Sequence, residues 1–269
     1  MSRTAAATAR SSDRVLGPDS LLWRWAGDTR IAFLGGTIGL LQLMHPAIGA
    51  GVLQHSNFFE DPIDRVFRSL PRILGAVYDG PTATDTGLDV RDAHRDIRGV
   101  DGSGQRYHAL DPATFWWAHA TFQFMAEQVV DRWDRHRLTA AEREQLYREG
   151  IEWYRRYGVS DRVVPPDRDA FQAEWDRICA DVLEMNDAVR FVLDLLDASQ
   201  LPRVDERSGV PAWVLPFANT WLARRLASRP SRIIAIGGLP RVVRERFDIP
   251  WSRRDQAELD VLEWSVART

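Results

Sequence analysis

The chain has 269 residues, of which 45% are hydrophobic, and its formal net charge is −3. That length suits one large domain or two small ones, and the charge favours neither a nucleic acid nor an acidic membrane surface as a partner. All 35 basic residues are Arg. The absence of Lys excludes Schiff-base catalysis, a pyridoxal-phosphate lysine and a P-loop lysine.

Cys179 is the only cysteine, so the chain has neither an intramolecular disulfide nor a cysteine-based zinc or iron–sulfur site. It lies in an apolar pattern with helical spacing. This setting predicts a packed, unreactive thiol rather than a nucleophile.

Two segments bear on location. Residues 1–19 are rich in Ser, Ala and Arg and lack an apolar core, which predicts a disordered tail rather than a signal peptide, and a cytoplasmic protein. The most apolar segment, Ile31–Gly51, contains five glycines, Gln42, His45 and Pro46. It falls short of a clean membrane span of about 20 residues, so we expect a buried helix pair broken at Pro46 and no transmembrane segment.

Apolar residues recur at helical spacing along almost the whole chain, which predicts an all-α protein. We expect residues 20–269 to form a single multi-helix domain. The predicted helices are two between Leu21 and Leu43, then Pro46 to about Gln54, one from Asp61-Pro62 that Pro71 kinks or ends, Leu88–Arg98, Asp111 to about His136, Thr139–Tyr157, one of about thirty residues from Asp167, and three or four after Arg203–Gly209.

Other local signals predict loops and helix starts. Pro81 to Gly87 is expected to be a loop, and the turn-rich segment from Gly99 to Tyr107 a small hairpin. Thr139 and Glu142 have the spacing of a capping box, in which each side chain bonds the backbone of the other residue.

His119 is the first candidate for chemistry. On a helix, Phe115 and Phe122 lie on the same side as His119, at positions i−4 and i+3. A histidine on an apolar helix face is commonly a core residue bonded to a carbonyl. The same surroundings also suit a haem ligand, because the porphyrin needs apolar contacts and the neutral Nε2 of the imidazole is expected to point at the iron.

His94 is the second candidate, and it lies among arginines. If the helix continues to Gly99, then Arg91, His94, Arg95 and Arg98 share one side of it. Such a set is commonly a solvated basic face paired with nearby aspartates. It could instead bind two carboxylates, such as haem propionates, with a titratable His beside them.

His45 and His55 are ten residues apart, which is not a metal-ligand spacing on one helix, so structural roles are favoured for both. Other catalytic motifs are missing from the sequence. It has no His-Glu-x-x-His zinc motif and no Gly-x-Ser-x-Gly nucleophile elbow, and the glycine pairs lie within apolar helical patterns rather than in phosphate loops.

Several segments, taken together and in order, resemble the MpaB-like oxygenases, a family that includes the latex-clearing rubber oxygenases. The resemblance covers about residues 30–160 well and the rest loosely. The matching segments are Leu41 to Ser56, Asp61-Pro62 with Arg65, His94 to Gly99 with Asp101-Gly102, Tyr107 to Pro112, Trp117 to Thr121 and, as a weaker echo, Leu239 to Arg241 with Ile249 to Trp251.

The resemblance implies a helical fold with a globin-like core around haem b, and the family's proximal histidine matches His119. In the rubber enzymes the preceding helix carries an Arg and, three residues later, a Lys on the distal side of the haem. Arg91 and His94 have that spacing here. His94 therefore replaces the Lys, and it could be a sixth iron ligand or a hydrogen-bond donor to dioxygen. The catalytic acidic residue of the rubber enzymes has no counterpart, which puts rubber cleavage in doubt.

The sequence therefore leaves three hypotheses open. The first is a haem-dependent oxygenase that binds dioxygen and an apolar terpenoid- or lipid-like substrate, with electrons from an external reductase or none at all. In it, Arg91 and His94 act in catalysis, Phe115 and Phe122 contact the haem, and Arg95 and Arg98 bind it with Arg91. The second is a haem protein that acts as carrier, redox protein or gas sensor. The third is a haem-free helical binding protein.

Overall fold

The computed structural model describes residues 16–56, 62–197 and 221–267. It confirms the all-α prediction. The described part contains twelve α-helices, which we number in chain order: α1 Leu21–Ala26, α2 Ile31–Leu43, α3 Pro46–His55, α4 Pro62–Tyr78, α5 Ala83–Asp92, α6 Pro112–Trp133, α7 Ala140–Arg156, α8 Arg168–Arg177, α9 Asp187–Leu196, α10 Trp221–Gly237, α11 Arg241–Arg246 and α12 Arg253–Val266.

Some of the sequence predictions fall on other parts of the chain. Residues 1–15 of the predicted tail, the predicted helix start at Asp61 and the segment Arg203–Gly209 before the last predicted helices lie outside the described residues.

Side-chain caps explain where several helices begin. Asp111 accepts a hydrogen bond from the backbone N–H of Ala113 at the start of α6, and Thr139 and Glu142 form the predicted capping box at the start of α7. Such caps satisfy backbone N–H groups that have no partner within the helix. These two helices therefore begin where the sequence predicts.

The apolar segment from Ile31 is a helix pair, as predicted. α2 and α3 are bent by 98° at a break before Pro46, the first residue of α3. In the described part of the chain no single helix is long and apolar enough to cross a membrane, and only these two bent helices taken together reach that length and hydropathy.

Two predictions in the region before α6 are wrong. Residues 81–87 are not a loop, because a short 3₁₀ turn, Gly80–Thr82, leads directly into α5 at Ala83. The following helix ends at Asp92 rather than Arg98. Residues 93–96 form turns, and Arg98 lies in a β-strand, so Arg91, His94, Arg95 and Arg98 do not share a helix face.

The strand at Arg98 belongs to the predicted hairpin. β1 (Arg98–Val100) pairs antiparallel with β2 (Arg106–His108). His55 extends this contact to α3, because its Nε2 donates to the Arg98 carbonyl oxygen at 3.0 Å. The early end of α5 thus follows from backbone hydrogen bonds that the strand makes with distant residues.

The prediction of one helix of about thirty residues from Asp167 is also wrong. α8 continues as one π-helical turn, Ile178–Val182, and the chain then breaks before α9. At the break, Glu184 N–H donates to the Met44 carbonyl at 2.8 Å and Asn186 Nδ2 to the Leu43 carbonyl at 2.7 Å. The residues at the break therefore donate hydrogen bonds to carbonyls at the end of α2. In a continuous helix they could not do so.

Proline does not end α4, because the helix runs through Pro71 to Tyr78. The centre of the fold is α6, which packs against α1, α2, α3, α7 and α12. Five of its buried residues are polar, and three of these, His119, Gln123 and Glu127, are 2%, 1% and 3% exposed. They are four residues apart and therefore lie along one side of the helix. We call this set the α6 polar face.

Candidate functional site

His119 lies in the middle of α6 inside a shell of aromatic rings. Its ring centroid is 4.9 Å from Trp153, 5.3 Å from Tyr154 and 5.9 Å from Tyr157, all on or just after α7. Trp116, one turn earlier on α6, lies 5.6 Å away. Centroid separations of about 4.5–7 Å are those of rings in direct contact, so the shell is closed around the imidazole.

The two ring nitrogens of His119 differ in their partners. Nε2 lies 2.9 Å from the Gly150 carbonyl oxygen, and because a carbonyl can only accept, Nε2 carries the proton. Nδ1 is buried and has no hydrogen-bond partner. Burial lowers the pKa of His119 to about 3, against the smaller opposing effect of the bond to Gly150. His119 is therefore neutral, and its free lone pair is on Nδ1. The nitrogen left for a ligand is thus Nδ1 and not the Nε2 expected from the sequence, because Nε2 donates to the Gly150 carbonyl.

Gly150 allows α6 and α7 to approach closely. A Cβ on Gly150 would lie 1.6 Å from Gln123 Oε1. One turn along, Gln123 Nε2 donates to the Leu146 carbonyl at 3.2 Å, while Gln123 Oε1 is buried without a partner. Two neighbouring side chains of α6 thus bond two carbonyls of α7.

Phe115 and Phe122, the predicted haem contacts, both join the shell. Phe115 lies 5.4 Å from Tyr157 and 6.2 Å from Tyr154, and Phe122 lies 6.0 Å from Trp153. The structure therefore brings both predicted phenylalanines to the rings that enclose His119.

His94 lies on the outer side of Phe115, with ring centroids 5.9 Å apart. Its Nδ1 donates to the Val90 carbonyl at 2.7 Å, which leaves Nε2 with the lone pair when the ring is neutral. A carbonyl that holds one ring nitrogen is the usual arrangement of a metal-binding histidine. However, Phe115 contacts His94, and Tyr157 contacts both Phe115 and His119, so the two imidazoles are separated by aromatic rings.

The three arginines proposed as haem contacts have different surroundings. Arg91 bonds Asp92 through Nε at 2.8 Å, and its Nη1 lies 3.1 Å from where a Cβ on Gly158 would be. Gly158 follows Tyr157 of the shell, so Arg91 lies beside the site. Arg95 is 63% exposed and pairs with Asp92 at 2.7 Å. Arg98 is exposed on β1.

His45 belongs to a different cluster. Its ring stacks on Trp117 at 6.5 Å, its buried Nδ1 has no partner, and burial lowers its pKa to about 4 although Asp111 opposes the change. Cys179 is fully buried, and burial raises the pKa of its thiol to about 12. A thiol with this pKa is protonated and unreactive at neutral pH, as predicted.

Sequence reasoning missed the α7 half of the site. Gly150 is an interior glycine in an amphipathic helix, and aromatic residues at 153, 154 and 157 follow it within two turns. An isolated glycine in a helix signals close packing, so the signal was present. The sequence gives no signal for Gln123 except that it lies four residues after His119.

Whether this site fits an iron porphyrin depends on two features: a ligand for the iron and space for the porphyrin ring. In the described part of the chain no three His, Cys, Asp or Glu side chains lie close enough to hold a bare metal ion, whereas porphyrin iron needs only one protein nitrogen. The partnerless Nδ1 of a neutral imidazole, fixed through Nε2 by a carbonyl, fits that need. The shell supplies apolar faces, and its rings are in mutual contact, so a planar ligand on Nδ1 requires them to separate.

The fold and site define an all-helical protein with one buried, neutral histidine in an aromatic core. The family model "ER-bound oxygenase mpaB/B'/Rubber oxygenase, catalytic domain" matches residues 23–268, and the chain belongs to this family. At that level it is an oxygenase catalytic domain. Neither a curated protein nor a solved structure matches the chain.

Proposed function

We propose that the chain is a haem b-dependent oxygenase that acts on an apolar, terpenoid- or lipid-like small molecule in the cytoplasm. The observation that carries this proposal is the buried Nδ1 of His119, which has no partner inside an aromatic shell at the position that resembles the family's proximal histidine. Haem, when bound, supplies the activation of dioxygen.

The residues of this chain have three roles in the proposal. His119 would hold the iron, and the Gly150 carbonyl fixes the tautomer of the imidazole by accepting from Nε2, which leaves the lone pair on Nδ1. Phe115, Phe122 and the α7 rings exclude water from the site.

On the α5 side, Arg91 and His94 lie behind Phe115 and Tyr157, where they can orient dioxygen or a haem propionate once those rings separate. His94 as a sixth ligand, and Arg95 and Arg98 as propionate contacts, stay predictions.

The reaction we propose adds both atoms of dioxygen across a carbon–carbon double bond and gives two carbonyl groups. This step balances without net electrons, so it needs a reductase only to prepare ferrous iron. The test is to incubate ferrous protein with ¹⁸O₂ and a panel of terpenoids and unsaturated lipids. We expect labelled carbonyl products. Reversible oxygen binding without product from any alkene would favour a carrier or sensor instead.

Haem binding itself is tested by titrating haem into the purified protein and recording the Soret band. His119→Ala should lose most of the band while its helical circular dichroism is retained. His119→Gln, which keeps an N–H for the Gly150 carbonyl, serves as a second variant in case Ala disturbs packing. His136→Ala, on the surface, is the matched control. Full haem retention by both His119 variants would overturn the assignment.

The alternative favoured by a specific observation is a haem-free helical binding protein. Phe115 and Tyr157 fill the space between His94 and His119, which is the packing expected of an ordinary core. The same titration decides, because a wild-type protein that develops no Soret band supports this alternative.

A further inference from the structure

Two rungs of hydrogen bonds connect α6 with α7. His119 Nε2 donates to the Gly150 carbonyl at 2.9 Å, and Gln123 Nε2 donates to the Leu146 carbonyl at 3.2 Å. On each helix the two partners are four residues apart, so both rungs require the same register between the helices. A slip of one helix along the other would break both.

Gln123 is the unusual member of this arrangement. Its amide is 1% exposed and half satisfied, because Oε1 has no partner. An apolar side chain of similar size would fill the same space without burying an unpaired acceptor. Packing stability alone therefore does not explain a glutamine here.

The amide also occupies the space that Gly150 leaves open. A Cβ on Gly150 would lie 1.6 Å from Gln123 Oε1 and 2.7 Å from Gln123 Cδ. Gln123 thus fixes both how close the helices come and where along α7 they meet, one turn from the carbonyl that bonds His119.

We infer that Gln123 is a positioning residue for His119: it sets the register of α6 against α7, so that the Gly150 carbonyl takes the Nε2 proton and Nδ1 is the nitrogen left for a ligand. This inference deepens the proposed function, since it states which nitrogen of His119 faces the iron. Its physical claim concerns the imidazole itself and is measurable without haem.

The experiment measures exchange of the His119 Nε2–H by ¹⁵N NMR on histidine-labelled full-length protein without added haem. In the wild type we expect a protonated, slowly exchanging Nε2 and an unprotonated Nδ1. Gln123→Met keeps the length of the side chain and removes the donor. It should speed exchange of the Nε2–H about tenfold, the size expected from weakening one hydrogen bond, or give a mixture of tautomers. Gln145→Met, an exposed glutamine bonded to Glu149, is the matched control and should change neither.

A second pair of variants separates the amide from its volume. Gly150→Ala should force the helices apart and expose the Nε2–H. Gly150→Ala with Gln123→Ala removes the overlap and should restore the melting temperature toward wild type without restoring slow exchange, because the Leu146 carbonyl still lacks its donor.

Wild-type exchange in Gln123→Met, or full recovery of slow exchange in the double variant, would overturn the inference and leave Gln123 as a space filler. The outcome is independent of the proposed function. If the tautomer is fixed but the protein binds no haem, the positioning role of Gln123 stands and the proposed haem function is rejected.

Discussion

The α6 polar face and the α5–β1 region both carry polar side chains that the sequence marks as candidates, but they differ in what satisfies those groups. On the α6 polar face the side chains are buried, and two of their polar atoms, His119 Nδ1 and Gln123 Oε1, have no partner. In the α5–β1 region Arg91 and Arg95 share the exposed carboxylate of Asp92. Ion pairs satisfy these arginines at the surface, whereas the α6 polar face keeps buried polar atoms without a partner, which costs free energy.

The buried region is the better place to look for a function. An exposed arginine–aspartate pair contributes little to stability and needs no special explanation. A buried polar atom without a partner costs free energy, so its persistence suggests a ligand or a positioning role. Three predictions test the contrast, and each compares a closely packed position with a more open one.

The largest effect is expected at the helix contact. Gly150→Ala should lower the free energy of unfolding by about 3 kcal/mol, because its Cβ would overlap Gln123 Oε1 and overpacked cores relax only in part. The control is Gly39→Ala in α2, where a Cβ meets nothing within 4 Å. It should instead stabilise the helix by about 0.5–1 kcal/mol. Urea unfolding measures both, and a neutral Gly150→Ala would show that the helices are not in close contact.

The second effect is a pH dependence from His119. Its folded pKa, about 3, lies below the unfolded value of 6.5, so the unfolded chain binds more protons as the pH falls. The contribution to stability is full above pH 6.5 and is lost progressively toward pH 3. The slope is about 1.4 kcal/mol for each pH unit once the unfolded histidine is protonated.

Unfolding at a series of pH values checks this slope. His119→Gln should reduce the slope by about 1.4 kcal/mol for each pH unit, while the contribution of His45, whose pKa burial lowers to about 4, stays. The surface variant His136→Ala should leave the slope in place. An unchanged slope in His119→Gln would contradict the assignment to His119.

The smallest effects compare two ion pairs. Glu127 of the α6 polar face accepts from Arg168 at 2.8 Å and 2.7 Å, so Glu127→Ala should cost about 2 kcal/mol by leaving a partly buried guanidinium unpaired. Asp92→Ala in the α5–β1 region should change stability by less than about 0.5 kcal/mol. Equal losses in thermal unfolding would contradict the contrast between the two regions.

Much of the fold was predictable because its signals are local. The capping box at Thr139, the Asp111 cap and the break at Pro46 depend on residues within a turn of each other, and each helix begins where expected. His119 was identifiable from the aromatic residues at helical spacing around it and from the family resemblance. The family resemblance came from the order of several short motifs, and the match of the family model to residues 23–268 confirms it.

Only the tertiary structure decided the other half of the site. The imidazole tautomer depends on the Gly150 carbonyl, 31 residues away, and the roles of Gln123 and the α7 rings depend on the register between two helices. The two wrong helix ends have the same origin. Val90 to Arg98 and Ile178 to Asn186 have helical patterns, but hydrogen bonds to β2, α3 and the end of α2 outweigh them. The periodicity of a sequence shows which face of a helix is apolar. The hydrogen-bond partner of a buried polar group, in contrast, is a backbone atom from a distant part of the chain, so only the tertiary structure shows it.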